Sequence, residues 1–222
     1  MARPHQEFGI DFGLSGLIKW FHYPRVGSEA AGLDVIASSA DRYEGAFARR
    51  LLEDALRLLD SPLSGQAVTT LWLAGTFRDF DLERLGIDGR QWLRRIADIC
   101  TARIRRDDPS FTPTVPAAAP VGGLSDAVLA EIRAVGAALE ATSANHSYSA
   151  VPYVVPTLER VVTEVDPELG FRLFLRAMKA FFVPISDATY DRYVALGKLL
   201  GLDEAVVDDG DFNWLDQGLS PR

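Results

Sequence analysis

Apolar residues recur at helical spacing along most of this 222-residue chain, and no segment alternates in the manner of a half-buried strand. That pattern predicts an all-α fold. Residues 12–21 place Leu14, Leu17, Ile18 and Phe21 on one side of a short helix, which the residue before Pro24 must end. Residues 41–59 repeat the pattern with Phe47, Leu51, Ala55 and Leu58, widened by Leu52, Leu56 and Leu59, and Ser61-Pro62 stops it. Ser64 is expected to cap a helix to about Phe77 that buries Val68, Leu71 and Trp72. Asp88 is expected to cap the next, which turns Trp92, Leu93, Ile96, Ile99, Cys100 and Ile104 inward and Arg90, Arg94, Arg95, Arg103, Arg105 and Arg106 outward.

Residues 107–123 carry four prolines and two glycines in seventeen positions, a composition that favours an extended connector. The expected organisation is an N-terminal helical sub-bundle over 1–106, a Pro-rich linker over 107–124, and a C-terminal sub-bundle with an acidic tail over 125–222. In the second half Ser125 is expected to cap a helix to about Ala141. Pro156 requires a helix that starts near it or kinks there, and Asp166-Pro167 is a cap followed by a first-turn proline. Ser186 starts a further helix, ended by Gly201 in the left-handed position. Eight to nine helices in two packed sub-bundles follow, with stacking of helix pairs as in HEAT arrays as a variant, although no fixed repeat period is found.

Charge is unevenly placed. The net is −8: residues 1–110 hold fifteen bases and sixteen acids, residues 111–222 eight bases and fifteen acids. A half with a net of −7 repels phosphate backbones, so nucleic acid is not the expected partner and a basic protein is. The concentration is greatest at the end, where Asp203, Glu204, Asp208, Asp209, Asp211 and Asp216 accompany Phe212 and Trp214. These eight residues are the expected partner-binding set, with the acids steering the encounter and the exposed aromatics anchoring it. One cysteine, Cys100, allows no internal disulfide and suits a cytoplasmic location. Residues 1–11 show no secretory signal, and no run approaches eighteen apolar residues, so no membrane span is expected.

Chemistry-bearing motifs are absent. No HExxH, CxxC, GxGxxG or Gly-x-Ser-x-Gly pattern occurs, and no catalytic residue, metal or cofactor is assigned. Asp209, Asp211 and Asn213 match the first three positions of a calcium loop, but Trp214 stands where that loop needs glycine and Ser220 where it needs glutamate. Glu159, Glu164, Asp166 and Glu168 have the spacing of helix-end and capping groups. Cys100 falls on an apolar face, where thiols are inert. His22, at the end of the first helix, suits capping or packing. The alternative function is a helical enzyme or small-molecule binder with a pocket between the sub-bundles near His146 and Tyr148.

The run Leu17-Ile18-Lys19-Trp20-Phe21-His22, the Leu-rich helix ending in Leu58-Leu59 and the later segment from Gly89 to Ile96 follow one another in an order that resembles the helical immunity proteins of contact-dependent growth inhibition and related polymorphic toxin systems. The likeness covers about residues 14–106. The run from Ser149 to Pro156 is similar to the Ala-Val-Pro turns of helical-repeat immunity-like proteins. What the resemblance implies is a non-enzymatic protein that neutralises a cognate basic toxin by direct binding; it carries over no role residue by residue.

Overall fold

The protein's structure, a computed structural model, describes residues 11–21, 27–116, 123–146 and 150–215. It is all-α. The first half holds α1 (Gly13–Lys19), α2 (Glu29–Ala40), a 3-10 turn (Arg42–Gly45), α3 (Ala46–Asp60), α4 (Gly65–Gly75) and α5 (Gly89–Asp107). The second holds α6 (Leu124–Asn145), α7 (Val154–Glu164), α8 (Pro167–Ala180), β1 (Pro184–Ile185), α9 (Asp187–Leu200), α10 (Glu204–Val207) and β2 (Asn213–Trp214). The two short strands pair in parallel, Pro184 with Asn213 and Ile185 with Trp214.

The expected caps form where the residue chemistry demands them. The Ser64 hydroxyl accepts from the Ala67 N–H, the Asp88 carboxylate from Arg90 and Gln91, and the Asp166 carboxylate from Glu168 and Leu169, with Pro167 in the first turn. Ser186 caps α9, and Gly201 closes it at φ 78°. Pro156 lies in the first turn of α7, where its missing N–H costs nothing. Ser125 does not cap α6: Gly123, at φ 75°, precedes the helix and Ser125 lies within the first turn. Two further departures concern the first half. Helix α2 is absent from the reading above because its buried positions are mostly small (Gly32, Ile36, Ser39, Ala40), which leaves little hydrophobic periodicity. The helix expected from residue 41 starts only at Ala46, since Tyr43, Glu44 and Gly45 all take left-handed angles.

Helix α5 packs against α2, α3 and α4, and α7 lies between α6 and α8. Helices α1 and α4 also pack on α8, so the halves flanking the Pro-rich stretch share one hydrophobic core. Its first-half centre is aromatic: Phe21, Trp72, Phe80 and Trp92 meet edge to face or tilted, at centroid distances of 4.9–6.2 Å. Cys100 is buried on α5 beside this core, and burial pushes its thiol up to about 12, far from the thiolate that chemistry needs.

Four arginines of α5 are tied to the first half, while Arg105 donates to the Phe111 carbonyl in the Pro-rich stretch. Arg90 donates to the carbonyls of Leu58, Leu59, Ser61 and Leu63, and thereby satisfies the orphan acceptors at the end of α3. Arg95 pairs with Glu29, Arg103 with Asp41 and Asp107, and Arg106 with Asp41. The carboxylates of Glu159, Glu164 and Glu168 are likewise engaged, by Arg133, Arg160 and Arg172.

Where α1, α3 and α8 meet, charge is buried deliberately. The Arg172 guanidinium is forked on Asp54 with two 2.9 Å bonds, reaches Glu168 at 2.5 Å, and also donates to the Phe12 carbonyl and the Ser15 hydroxyl at 3.0 Å. Gly13 permits this approach: at φ +61°, a β-carbon there would lie 2.1 Å from the Asp54 carboxylate. Burial disfavours the Arg172 cation, but Asp54 and Glu168 outweigh it and hold its pKa well above the ordinary value.

Candidate functional site

The chain from α10 to β2 is folded onto the body, and its side chains divide between an inner and an outer set. Asp203 caps α10 by accepting from the Ala205 N–H. Asp208 accepts from the Gly210 N–H, which turns the chain at Gly210, φ +84°. The turn delivers Asp209 and Asp211 to cations that lie far away in sequence. Asp209 takes Lys179 at 2.6 Å and Lys19 at 2.7 Å; Asp211 takes Lys19 at 3.0 Å and lies 3.8 Å from Arg176. Burial opposes ionisation of Asp209, yet Lys179 and Lys19 outweigh it and hold the carboxyl down at about 2. Burial likewise works against the Lys19 ammonium, and the bonds to Asp209 and Asp211 still raise its pKa.

The expectation of a free acidic tail is therefore corrected in part. Asp209 and Asp211 are neutralised within the chain, and Phe212, expected to be exposed, is 7% exposed, with the Lys179 ammonium 4.6 Å from its ring centre and Tyr193 packed beside it. The outer set is smaller. Trp214 is 46% exposed on β2, with its ring 5.4 Å from that of Tyr190. The Tyr190 hydroxyl lies 3.3 Å from Glu204, and burial, then Asp208 and Glu204, push its phenol up to about 12. Leu215 is exposed and its N–H donates to the Ile185 carbonyl. Asp216 lies outside the described residues.

Between the inner set and α8 lies a cleft of about 440 Å³, lined by Lys19, Arg176, Lys179, Phe182, Gly210, Asp211, Phe212 and Asn213. Arg176 and Lys179 are buried on α8; Arg176 also donates to the Gly75 carbonyl at the end of α4. Phe182 is 57% exposed at the rim, at φ +52°, and its carbonyl accepts from the Asn213 side chain at 2.7 Å. Sequence reasoning missed every cation here. A signal was present: the chain has only three lysines among twenty-three bases, and Lys19 and Lys179 converge on one carboxylate.

The alternative pair near a pocket is not assembled in this cleft. His146 stands edge-on to Phe77 at 4.7 Å and does not line it, while Tyr148 and His22 lie outside the described residues. Among the described residues no group of three His, Cys, Asp or Glu is placed to hold a metal ion, and no helix is long and apolar enough to cross a membrane. Set against protein families, curated proteins and solved structures, the chain matches none of them.

The Asp209 pairings make stability depend on acid. Its carboxyl is depressed in the folded chain, so between about pH 4 and about 2 the unfolded state binds more protons and stability falls as pH falls. A shift of this size is worth up to ~2.5 kcal/mol, which solvent reaching the turn reduces to roughly 1 kcal/mol. Asp209→Asn should lower stability at pH 7 by at least about that amount and flatten the loss between pH 4.5 and 2.5. Urea unfolding of both proteins across that range measures it; an unchanged acid slope would show that other carboxylates set the transition.

Proposed function

We propose that the protein is a non-enzymatic, cytoplasmic binding protein that recognises a basic protein, and that it acts as an immunity protein by occupying a toxin domain. The observation that carries this reading is the exposed Trp214 stacked near the half-buried Tyr190, with the Glu204 and Asp208 carboxylates beside the Tyr190 hydroxyl. An aromatic held in place by a strand pairing loses little entropy on docking, and aromatic anchors dominate interface energies. Carboxylates around it steer a basic partner and select against acidic ones. A net charge of −8 supports the same encounter at longer range. The resemblance of residues 14–106 to helical immunity proteins supplies the toxin as the class of partner.

The contact set is thereby narrower than the eight residues expected from sequence, resting on Glu204, Asp208, Trp214 and Tyr190. The test is co-expression with the product of the gene directly upstream, followed by association and dissociation rates at low and physiological salt. Growth should be rescued. Reversing Glu204 and Asp208 to Lys should slow association several-fold at low salt, where the Debye length is long, and much less at 0.15 M. Trp214→Ala should accelerate dissociation by about thirtyfold, the equivalent of ~2 kcal/mol. Unchanged rates in both variants would move the contact surface elsewhere, and absence of both rescue and binding would remove the immunity reading.

A further inference from the structure

We propose that the cleft between the end of α1, the second half of α8 and the turn before β2 binds a small phosphomonoester, with Lys19, Arg176 and Lys179 holding the phosphate, Phe182 flanking a planar group, and Asp211 occupying the anion position until the ligand displaces it. This site is separate from the acidic face of Trp214 and goes beyond the protein-binding reading.

The charge arithmetic favours a dianion. Three cations and one carboxylate, Asp211, line the cleft; Asp209 stands behind it, bonded to both lysines. Setting Asp209 against the three cations leaves two positive charges once the Asp211 carboxylate has moved away; the buried Asp11 carboxyl, which also faces Lys179, is shared with Arg172 and is driven toward its neutral form by burial. A phosphomonoester carries about −1.5 to −2 at neutral pH. Arginine offers a planar fork and lysine a compact point charge, and phosphate sites use both. The lysines stand out in a chain whose other bases are almost all arginine.

Asp211 is built as a displaceable anion. Its side chain is 46% exposed, it is held by Lys19 at 3.0 Å and lies 3.8 Å from Arg176, both longer than the 2.6–2.7 Å bonds of Asp209, and it follows Gly210 at φ +84°, where a β-carbon would meet nothing within 4 Å. With Asp209 and Phe212 anchored on either side, it is the half-exposed Asp211 side chain alone that rotates away to vacate the anion position. The cleft volume of about 440 Å³ suits a ligand of nucleotide size. Its apolar wall is Phe182, whose left-handed backbone is costly for an aromatic residue and is held by the Asn213 side chain on its carbonyl. The strain sets an exposed ring beside three cations, which is the arrangement that a planar phosphorylated compound can use.

The probes are adenosine 5′-monophosphate, inorganic phosphate, citrate and uncharged adenosine, titrated calorimetrically into the full chain at constant ionic strength. The monophosphate should bind, phosphate should bind more weakly, and adenosine should give no heat. Lys19 is half-buried and its replacement spares the core, so Lys19→Gln should weaken the monophosphate by tenfold or more while far-ultraviolet circular dichroism stays unchanged. Phe182→Ala should weaken the monophosphate and leave phosphate unaffected. Asp211→Asn is the decisive variant: removal of the competing carboxylate should tighten the monophosphate by about tenfold. If neither the natively folded chain nor Asp211→Asn binds monophosphate or phosphate at millimolar concentration, the cleft is structural and the proposal fails. Adenosine binding as tightly as its phosphate, citrate outcompeting it, or weaker binding by Asp211→Asn would each overturn it as well.

Discussion

Arg172→Met is expected to remove about 3–5 kcal/mol of stability, a large share of the 5–15 kcal/mol that separates folded from unfolded domains. The substitution keeps a long apolar stem but strands two carboxylates. Asp54 is 2% exposed; among the described cations only Arg57, 3.5 Å away, would still face it, while Glu168 would lose its 2.5 Å partner. The Phe12 carbonyl and the Ser15 hydroxyl lose a donor at the same time. Urea unfolding followed by circular dichroism measures the loss. A change under about 1 kcal/mol would mean that desolvation of the three charges cancels their attraction even when one is removed.

The variant also carries a pH signature. Burial raises the Glu168 carboxyl in the folded chain even with Arg172 present. Without that cation it rises further, the folded state holds a proton that the unfolded state releases, and stability falls as pH rises from 5 to 7.5. Arg172→Met should therefore be less destabilised at pH 5 than at pH 7.5. Adding Asp54→Asn should recover part of the loss at both, because one of the stranded charges is gone.

Trp92→Ala should cost a similar ~3–5 kcal/mol through a different mechanism, the cavity left by a large ring in a close-packed interior. Trp92 is 1% exposed and meets Phe21, Trp72 and Phe80 at 6.2, 5.5 and 5.1 Å. Its neighbourhood is built around its size: a β-carbon at Gly32 would come within 2.9 Å of the indole, so α2 can approach only because that position is glycine. Among the described residues the indole N–H meets no acceptor, so the ring acts by packing alone. Trp92→Phe should accordingly keep well over half of the stability. Thermal melts of the two variants decide this; equal losses would point to an unrecognised polar partner of the indole.

Much of the helical layout was legible because it rests on local chemistry. A capping oxygen at Ser64, Asp88, Asp166 or Ser186 bonds to N–H groups two or three residues away, and Gly201 needs only its own backbone freedom. Buried stripes such as Trp92, Ile96, Cys100 and Ile104 follow from the helical period. Where the local signal is weak the reading fails. Helix α2 buries small residues whose value lies in close approach, and that depends on Phe80 and Trp92, nearly fifty and sixty positions further along.

The candidate site was legible in composition and not in arrangement. The acidic, aromatic character of residues 203–214 is a property of the sequence alone, as are the net charge, the all-α class and the missing catalytic motifs. Which acids face outward is decided by the fold. Lys19 lies 190 residues from Asp209, and Lys179 thirty residues from it, yet both bond to it. Ion pairing and burial depend on distance in space, which falls steeply from contact to solvent separation, whereas sequence neighbours determine only the short hydrogen bonds of caps and turns. So the sequence by itself determined that these residues are charged and helical. Tertiary packing alone decided that Asp209 and Phe212 hold the turn down, that three cations border a cleft, and that Trp214 and Glu204 stay exposed.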